Sequence, residues 1–226
     1  MNDGYTMIDF NDWSLTIPEQ VPAQVISTQA LKTGYQDRYF YRAGNGVVFW
    51  APVTGTHTKG SKYPRSELRE TYSDGEQRNW YYKDAMNELS AELTVKQVPS
   101  QGRIVIGQIH SKDSSKPFLK ILYKQVSGTG YVYLELRKKP GDSKSPTVMT
   151  YKGMPLGASF KYEIDLAKNG ELQVDINGLV HTSKIDSAWA KKRLYFKAGV
   201  YTLDNKGSSS EGGRVEFHDL WVSHRK

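Results

Sequence analysis

The sequence contains no cysteine, which rules out disulfides, thiolate nucleophiles and cysteine-based metal sites together. The compartment stays open, because a core of this size folds without cross-links in oxidising surroundings too. No apolar run approaches the length that crosses a bilayer, so no membrane partner is expected. Long stretches of 3.6-residue periodicity are scarce. Basic residues are not gathered into one dense run and no aromatic RNA-recognition motif is present, so nucleic acid is not expected as a partner either. No secretion signal is visible at the start. A mature chain would look the same, and a secreted or periplasmic location is the expectation.

What is present is aromatic and basic. Lys and Arg number 31 against 24 Asp and Glu, a formal net charge of +7, with 15 tyrosines and five tryptophans. An excess of this sign favours an acidic partner, and aromatic-rich basic surfaces suit anionic sugars. The 226 residues read as one domain, 1–226, and a monomer is expected.

Period-2 alternation dominates the chain. It predicts strands at 46–51, 65–71, 88–98, 103–110, 118–125, 131–138, 160–166, 171–176, 194–201 and 214–222. Asn169-Gly170 and Asn177-Gly178 read as hairpin turns. A short helix is expected within 184–192, a turn at 84–87 and loops at 142–146 and 204–213. So many short strands parted by Gly, Ser, Pro and Asn imply an all-β sandwich or barrel of antiparallel strands.

Three segments carry chemistry. RSELRE, residues 65–70, sends Arg65, Glu67 and Arg69 to one face of a strand. That face is either a surface ion-pair ladder or one wall of an anion site in which Glu67 holds the guanidinium groups. In IVIGQIH, residues 104–110, Gln108 and His110 are expected to share a face with Ile104 and Ile106. They are the floor of a cleft or satisfied core groups. In YFKAGVY, residues 195–201, Tyr195, Lys197, Gly199 and Tyr201 face one way, and Phe196, Ala198 and Val200 face the core. Gly199 is expected to let a ligand approach the backbone. If the three strands are neighbours, one face collects Arg65, Glu67, Arg69, Gln108, His110, Lys197 and Tyr201.

RSELRE, QIH and YFKAGVY, in this order and spacing, resemble the three conserved blocks of alginate lyases of polysaccharide lyase family 7, and the resemblance runs from about residue 5 to the C-terminus. It implies a β-jelly roll of two antiparallel sheets with a concave groove. The implied activity is metal-independent β-elimination of alginate, an anionic polysaccharide, with no cofactor. Arg65, Gln108 and His110 would neutralise the substrate carboxylate. Tyr201 would be the catalytic phenol, with His110 as base where proton and leaving group lie on opposite sides. Glu67, Arg69, Lys197 and Tyr195 would bind substrate or hold those that do. Arg65 or Lys197 is expected to lower the pKa of Tyr201, giving a neutral to mildly alkaline optimum. Ile109 within QIH leans the expectation towards guluronate-containing blocks. Thr202-Leu203-Asp204-Asn205 departs from the Asn-Gln that commonly follows YFKAGVY, which bears on subsite contacts.

Two rivals share the sandwich. A glycoside hydrolase needs two flanking carboxylates. Glu163 and Asp165 share a strand face but lead straight into a hairpin, which reads as a solvated face. A non-catalytic sugar-binding module would need no matched acid and base. His57, His181, His218 and His224 are scattered and read as surface or strand-end histidines, with no metal expected. Loops 54–63 and 204–213 could cover the groove.

Overall fold

A computed structural model describes residues 8–226, so the first seven residues of the expected domain 1–226 lie outside the described residues. Fifteen strands follow in order: β1 (Trp13–Ile17), β2 (Gln24–Ile26), β3 (Phe40–Ala43), β4 (Gly46–Pro52), β5 (Arg65–Glu70), β6 (Met86–Gln97), β7 (Arg103–Ser111), β8 (Leu119–Val126), β9 (Thr129–Leu136), β10 (Thr147–Lys152), β11 (Ser159–Leu166), β12 (Glu171–Ile176), β13 (Leu179–Lys184), β14 (Leu194–Tyr201) and β15 (Gly212–Arg225). One short helix, α1 (Thr28–Lys32), is capped by Ser27, whose side chain accepts from the Ala30 amide. They form two antiparallel sheets, one of order β10-β9-β8-β7-β14-β5-β1-β2 and one of order β13-β12-β11-β6-β15-β4-β3. This is the expected jelly-roll sandwich.

The alternation seen in the sequence is what stacks the sheets. From the eight-stranded sheet Leu68, Ile109, Phe196, Ala198 and Val200 point inward; from the other come Phe49, Leu93, Ile164 and Phe217. An edge-to-face chain of Phe10, Phe40, Phe49 and Phe217, with centroids 5.1–5.5 Å apart, runs through the core. Asn177 and Gly178 both take left-handed φ values, 52° and 88°, as a two-residue hairpin of the favoured hand requires. The 169–170 turn is longer than expected. Residues 168–170 form a three-residue loop closed by left-handed Gly170, whose amide bonds Ala167 O at 2.8 Å. The helix expected in 184–192 is a 3-10 turn over Ser187–Lys191.

β7 breaks its own alternation. Ile104, Ile106 and Ile109 all lie in the core, while Val105 belongs to a cluster on the outer face of the sheet. Its register with β8 slips between Val105 and Gly107, so one extra residue is inserted and the phase inverts. Gln108 and His110 therefore face outward, on the side opposite Ile104 and Ile106, contrary to the sequence expectation. The cause sits in the other sheet. A Cβ on Gly107 would lie 2.7 Å from the Tyr162 hydroxyl, which instead donates to the Ile106 carbonyl at 3.2 Å.

His224 sits at a strand end, one residue before the close of β15, and its side chain is buried and spans the two sheets. Nε2 lies 2.6 Å from Glu70 Oε1 and Nδ1 lies 2.8 Å from Asn87 Oδ1. The fully buried Glu70 also accepts from Trp80 Nε1 at 2.8 Å and the Phe196 amide at 2.9 Å. Removing that carboxylate strands three buried donors. Glu70→Ala is expected to lower the unfolding free energy by about 3–5 kcal/mol, measured by urea denaturation.

Candidate active site

β5, β14 and β7 are neighbours, and their registers fix what faces out. Lys197 pairs with Arg69 on one side and Gln108 on the other, Tyr201 pairs with Arg65, and Tyr195 pairs with His110. Outside them lies a cavity of about 400 Å³ whose lining includes Arg65, Gln108, His110, Tyr195, Lys197 and Tyr201. Six of the eight residues singled out in the sequence thus line one cavity.

Glu67 lies beneath it, 2% exposed. One carboxylate oxygen accepts from Arg65 Nη1 at 2.8 Å and from Lys197 Nζ; the other accepts from Gln108 Nε2. Burial alone would raise this carboxyl. Lys197, Arg65 and the hydrogen bonds outweigh it, so the pKa falls below the usual carboxylate range. Two cations share one anion here, which leaves the floor with a net positive charge. Arg65 Nε is buried without a hydrogen-bond partner among the described residues.

Arg69 has a different place from the one expected. It does not line the cavity. Its guanidinium donates to the carbonyls of Glu70 and Arg78 and, at 2.5 Å, to Asn79 Oδ1. It stacks over the Tyr195 ring with Cζ 4.0 Å from the centroid, so Arg69 holds Tyr195 in place. Tyr195 in turn stacks on His110, centroids 5.3 Å apart. Gly199 also differs. An added Cβ would meet Ser66 O at 2.6 Å and Glu67 Cα at 2.9 Å, so the missing side chain makes room for β5, not for a ligand.

The acid–base groups are set by this floor. His110 Nδ1 sits 3.0 Å from the Ser111 carbonyl. A carbonyl only accepts, so Nδ1 carries the proton and Nε2 keeps its lone pair. Burial, then the charge on Lys197, lower the His110 pKa to about 4. Lys197 is lowered to about 8 by burial and by Arg65. Tyr201 runs against the expected direction. Burial raises its pKa and outweighs Arg65, whose Cζ lies 4.0 Å over the ring. The phenol therefore holds its proton.

The loop expected over the groove at 54–63 contributes Thr58, Gly60 and Ser61 to the lining, and Leu203, one residue before the other expected loop, was not singled out by periodicity. Tyr63 packs on Tyr201, centroids 6.0 Å apart. Asn205 Nδ2 donates to Lys62 O at 3.1 Å, tying the two loops together. Leu203 takes a left-handed φ of 54°. This sits where the sequence departs from its resemblance. Glu163 lies on β11, in the other sheet, and is exposed. Among the described residues no three His, Asp or Glu side chains gather as a metal site.

A family model described as alginate lyase matches residues 8–224. A solved alginate lyase from Pseudomonas aeruginosa is 45% identical, with a TM-score of 0.94 over 96% of this chain and 100% of that one. Alginate lyase A1-II′, a member of polysaccharide lyase family 7, is 30% identical, with a TM-score of 0.85 over 96% of each chain. Variants of it have been solved with product (GGG) and with substrate (GGMG). An alginate lyase from Klebsiella pneumoniae is 28% identical over 96% of this chain and 89% of its own length.

Replacing Lys197 with Met removes the charge that, after burial, most depresses His110. The imidazole titration midpoint, followed by NMR, is expected to rise from about 4. A midpoint unmoved in K197M would refute this coupling.

Proposed function

The chain belongs to the alginate lyase family, and from that premise we propose that it breaks its substrate over the floor of this cavity, with Arg65, Gln108, His110 and Tyr201 as the catalytic groups. It is a polysaccharide lyase, and alginate is its substrate. The observation that carries the residue assignment is the convergence of those four side chains, from three adjacent strands, on one lining.

β-Elimination must remove the C5 proton, which lies α to a carboxylate. The carboxylate's charge makes that carbon a poor acid, so donors must neutralise it and hold the enolate-like intermediate. Arg65, which lines the cavity, and the net positive floor supply this. The His110 Nε2 lone pair then takes the C5 proton. The electron pair forms the C4–C5 double bond as the C4–O4 bond breaks, and Tyr201 donates its proton to O4. A neutral imidazole and a protonated phenol support that division of roles.

The division suits guluronate, where proton and leaving group lie on opposite faces. In mannuronate they lie on the same side, and Tyr201 would serve as both base and acid against its raised pKa. The lean towards guluronate-containing blocks rests on this pair. It does not rest on Ile109, which is buried in the core. A hydrolase needs two carboxylates, and among the described residues this lining holds none. Action as a monomer belongs to this proposal. A secreted or periplasmic location, where such a polymer is met, is part of the same proposal.

Tyr201→Phe is expected to lower kcat by about 10²–10⁴-fold while leaving oligosaccharide affinity intact. Near-ultraviolet absorbance of the unsaturated product and calorimetry measure the two, and a near-normal rate would remove Tyr201 from the chemistry. The pH profile of kcat/KM is expected to fall below about 4, where His110 gains a proton, and above about 8, where Lys197 loses one.

A further inference from the structure

The face that carries the catalytic cavity continues across three more strands. Successive register partners run Arg65, Tyr201, Val105, Leu122, Tyr133 and Thr150. Val105, Leu122 and Tyr133 form an apolar cluster against which Tyr201 and Leu203 pack. Beyond this ridge the next row is Arg103, Lys124 and Tyr131. These residues, with Tyr133, Glu135 and Thr150, line a second cavity of about 510 Å³.

Its charge is unspent. Arg103 and Lys124 are both exposed, and among the described residues neither forms an ion pair. The one carboxylate in the lining, Glu135, is already neutralised by Lys120 at 2.5 Å. The half-buried Tyr131 offers a ring beside the two cations. Tyr201 and Tyr133 are three strand steps apart, about 14 Å at the usual strand spacing. A chain of uronates with one ring at Tyr201 and its axis across the strands arrives at this cavity a few sugars on.

We propose that the second cavity is a distal site for the same polymer, in which Arg103 and Lys124 bind the carboxylate of a remote uronate whose ring lies against Tyr131. This rests on the lyase reading and adds where the polymer is held. Two unpaired cations fit a carboxylate, and an aromatic face suits the apolar side of a sugar ring. Binding so far from the breaking bond acts on long substrates alone.

The test compares polymeric alginate with the shortest oligosaccharide the enzyme cleaves. R103A/K124A, which loses a charge-assisted contact, and separately Y131A, which loses the ring beneath the sugar, are each expected to raise KM on the polymer about tenfold. kcat at saturation, and all constants on the short substrate, should match the wild type. The KM difference should shrink as salt rises. Equal losses on long and short substrates, or an unchanged polymer KM, would overturn the distal site and leave the lyase reading standing. A wild type that yields no unsaturated product would sink the lyase reading itself. Equilibrium binding of the polymer to wild type and R103A/K124A then decides the distal site, with equal affinities overturning it.

Discussion

The groove floor depends on one carboxylate. Glu67 is shut away from water and still charged, because Arg65, Lys197 and Gln108 all donate to it. Taking ions out of water costs several kcal/mol each, and a cluster like this persists only where geometry and hydrogen bonds offset that cost. Backbone register supplies the geometry. Gly199 sits opposite Glu67 on β14, and its missing side chain lets the two strands close, so Lys197 and Arg65 meet on one carboxylate oxygen. What remains is a fixed excess of positive charge in a partly dry cavity. Such a floor needs no rearrangement to meet a carboxylate, which is the preorganisation that stabilises a developing anion.

The same excess separates the proton donors from the acceptors. A buried imidazole beside Lys197 loses its proton readily, while a buried phenol keeps its own even beneath Arg65. One environment therefore yields a base and an acid at neutral pH from residues whose ordinary pKa values lie on opposite sides of it. Neighbouring rings hold both groups in place. His110 is stacked on Tyr195, which is clamped by Arg69. Tyr201 is packed between Arg65 and Tyr63. Arg69 lies outside the cavity lining, yet the orientation of His110 passes through it.

Much of this was legible in the sequence because alternation reports directly on faces. RSELRE and YFKAGVY lie in phase as read, and the pairing of β14 between β5 and β7 places their polar faces side by side. Five strands escaped detection. β2 and β3 have three and four residues, too few to show a period. β10 and β13 lie at sheet ends and are largely exposed, so neither has a buried face to write into its sequence. β1, only five residues long, also passed unread. The phase of β7 could not be read because Tyr162, some 55 positions further along the chain, inserts the extra residue. Arg69 was misplaced for a similar reason. Its partners sit in a loop at Arg78 and Asn79, where no period signals a contact. Local pattern gives faces, and tertiary contacts decide where a pattern slips.

The two kinds of support divide the labour of the groove. Arg65, Gln108, His110 and Lys197 rise from paired strands and are held by ladders of backbone bonds, and all but His110 also by Glu67. Ser61, Tyr63 and Leu203 come from loops joined by Asn205 to the Lys62 carbonyl and by the Thr202 amide and hydroxyl to the Pro64 carbonyl, and segments outside the strand ladders open more easily than strand cores. Tyr201 stands at the junction, the last residue of β14, with its backbone in the ladder and its ring against the loops. Leu203, two residues on, holds a conformation that side chains usually avoid. The strain falls where the rigid ladder hands over to the loop, beside the phenol that must meet the leaving oxygen. The carboxylate-binding floor is thus fixed before substrate arrives, and the loops are left to adapt to the sugars above it.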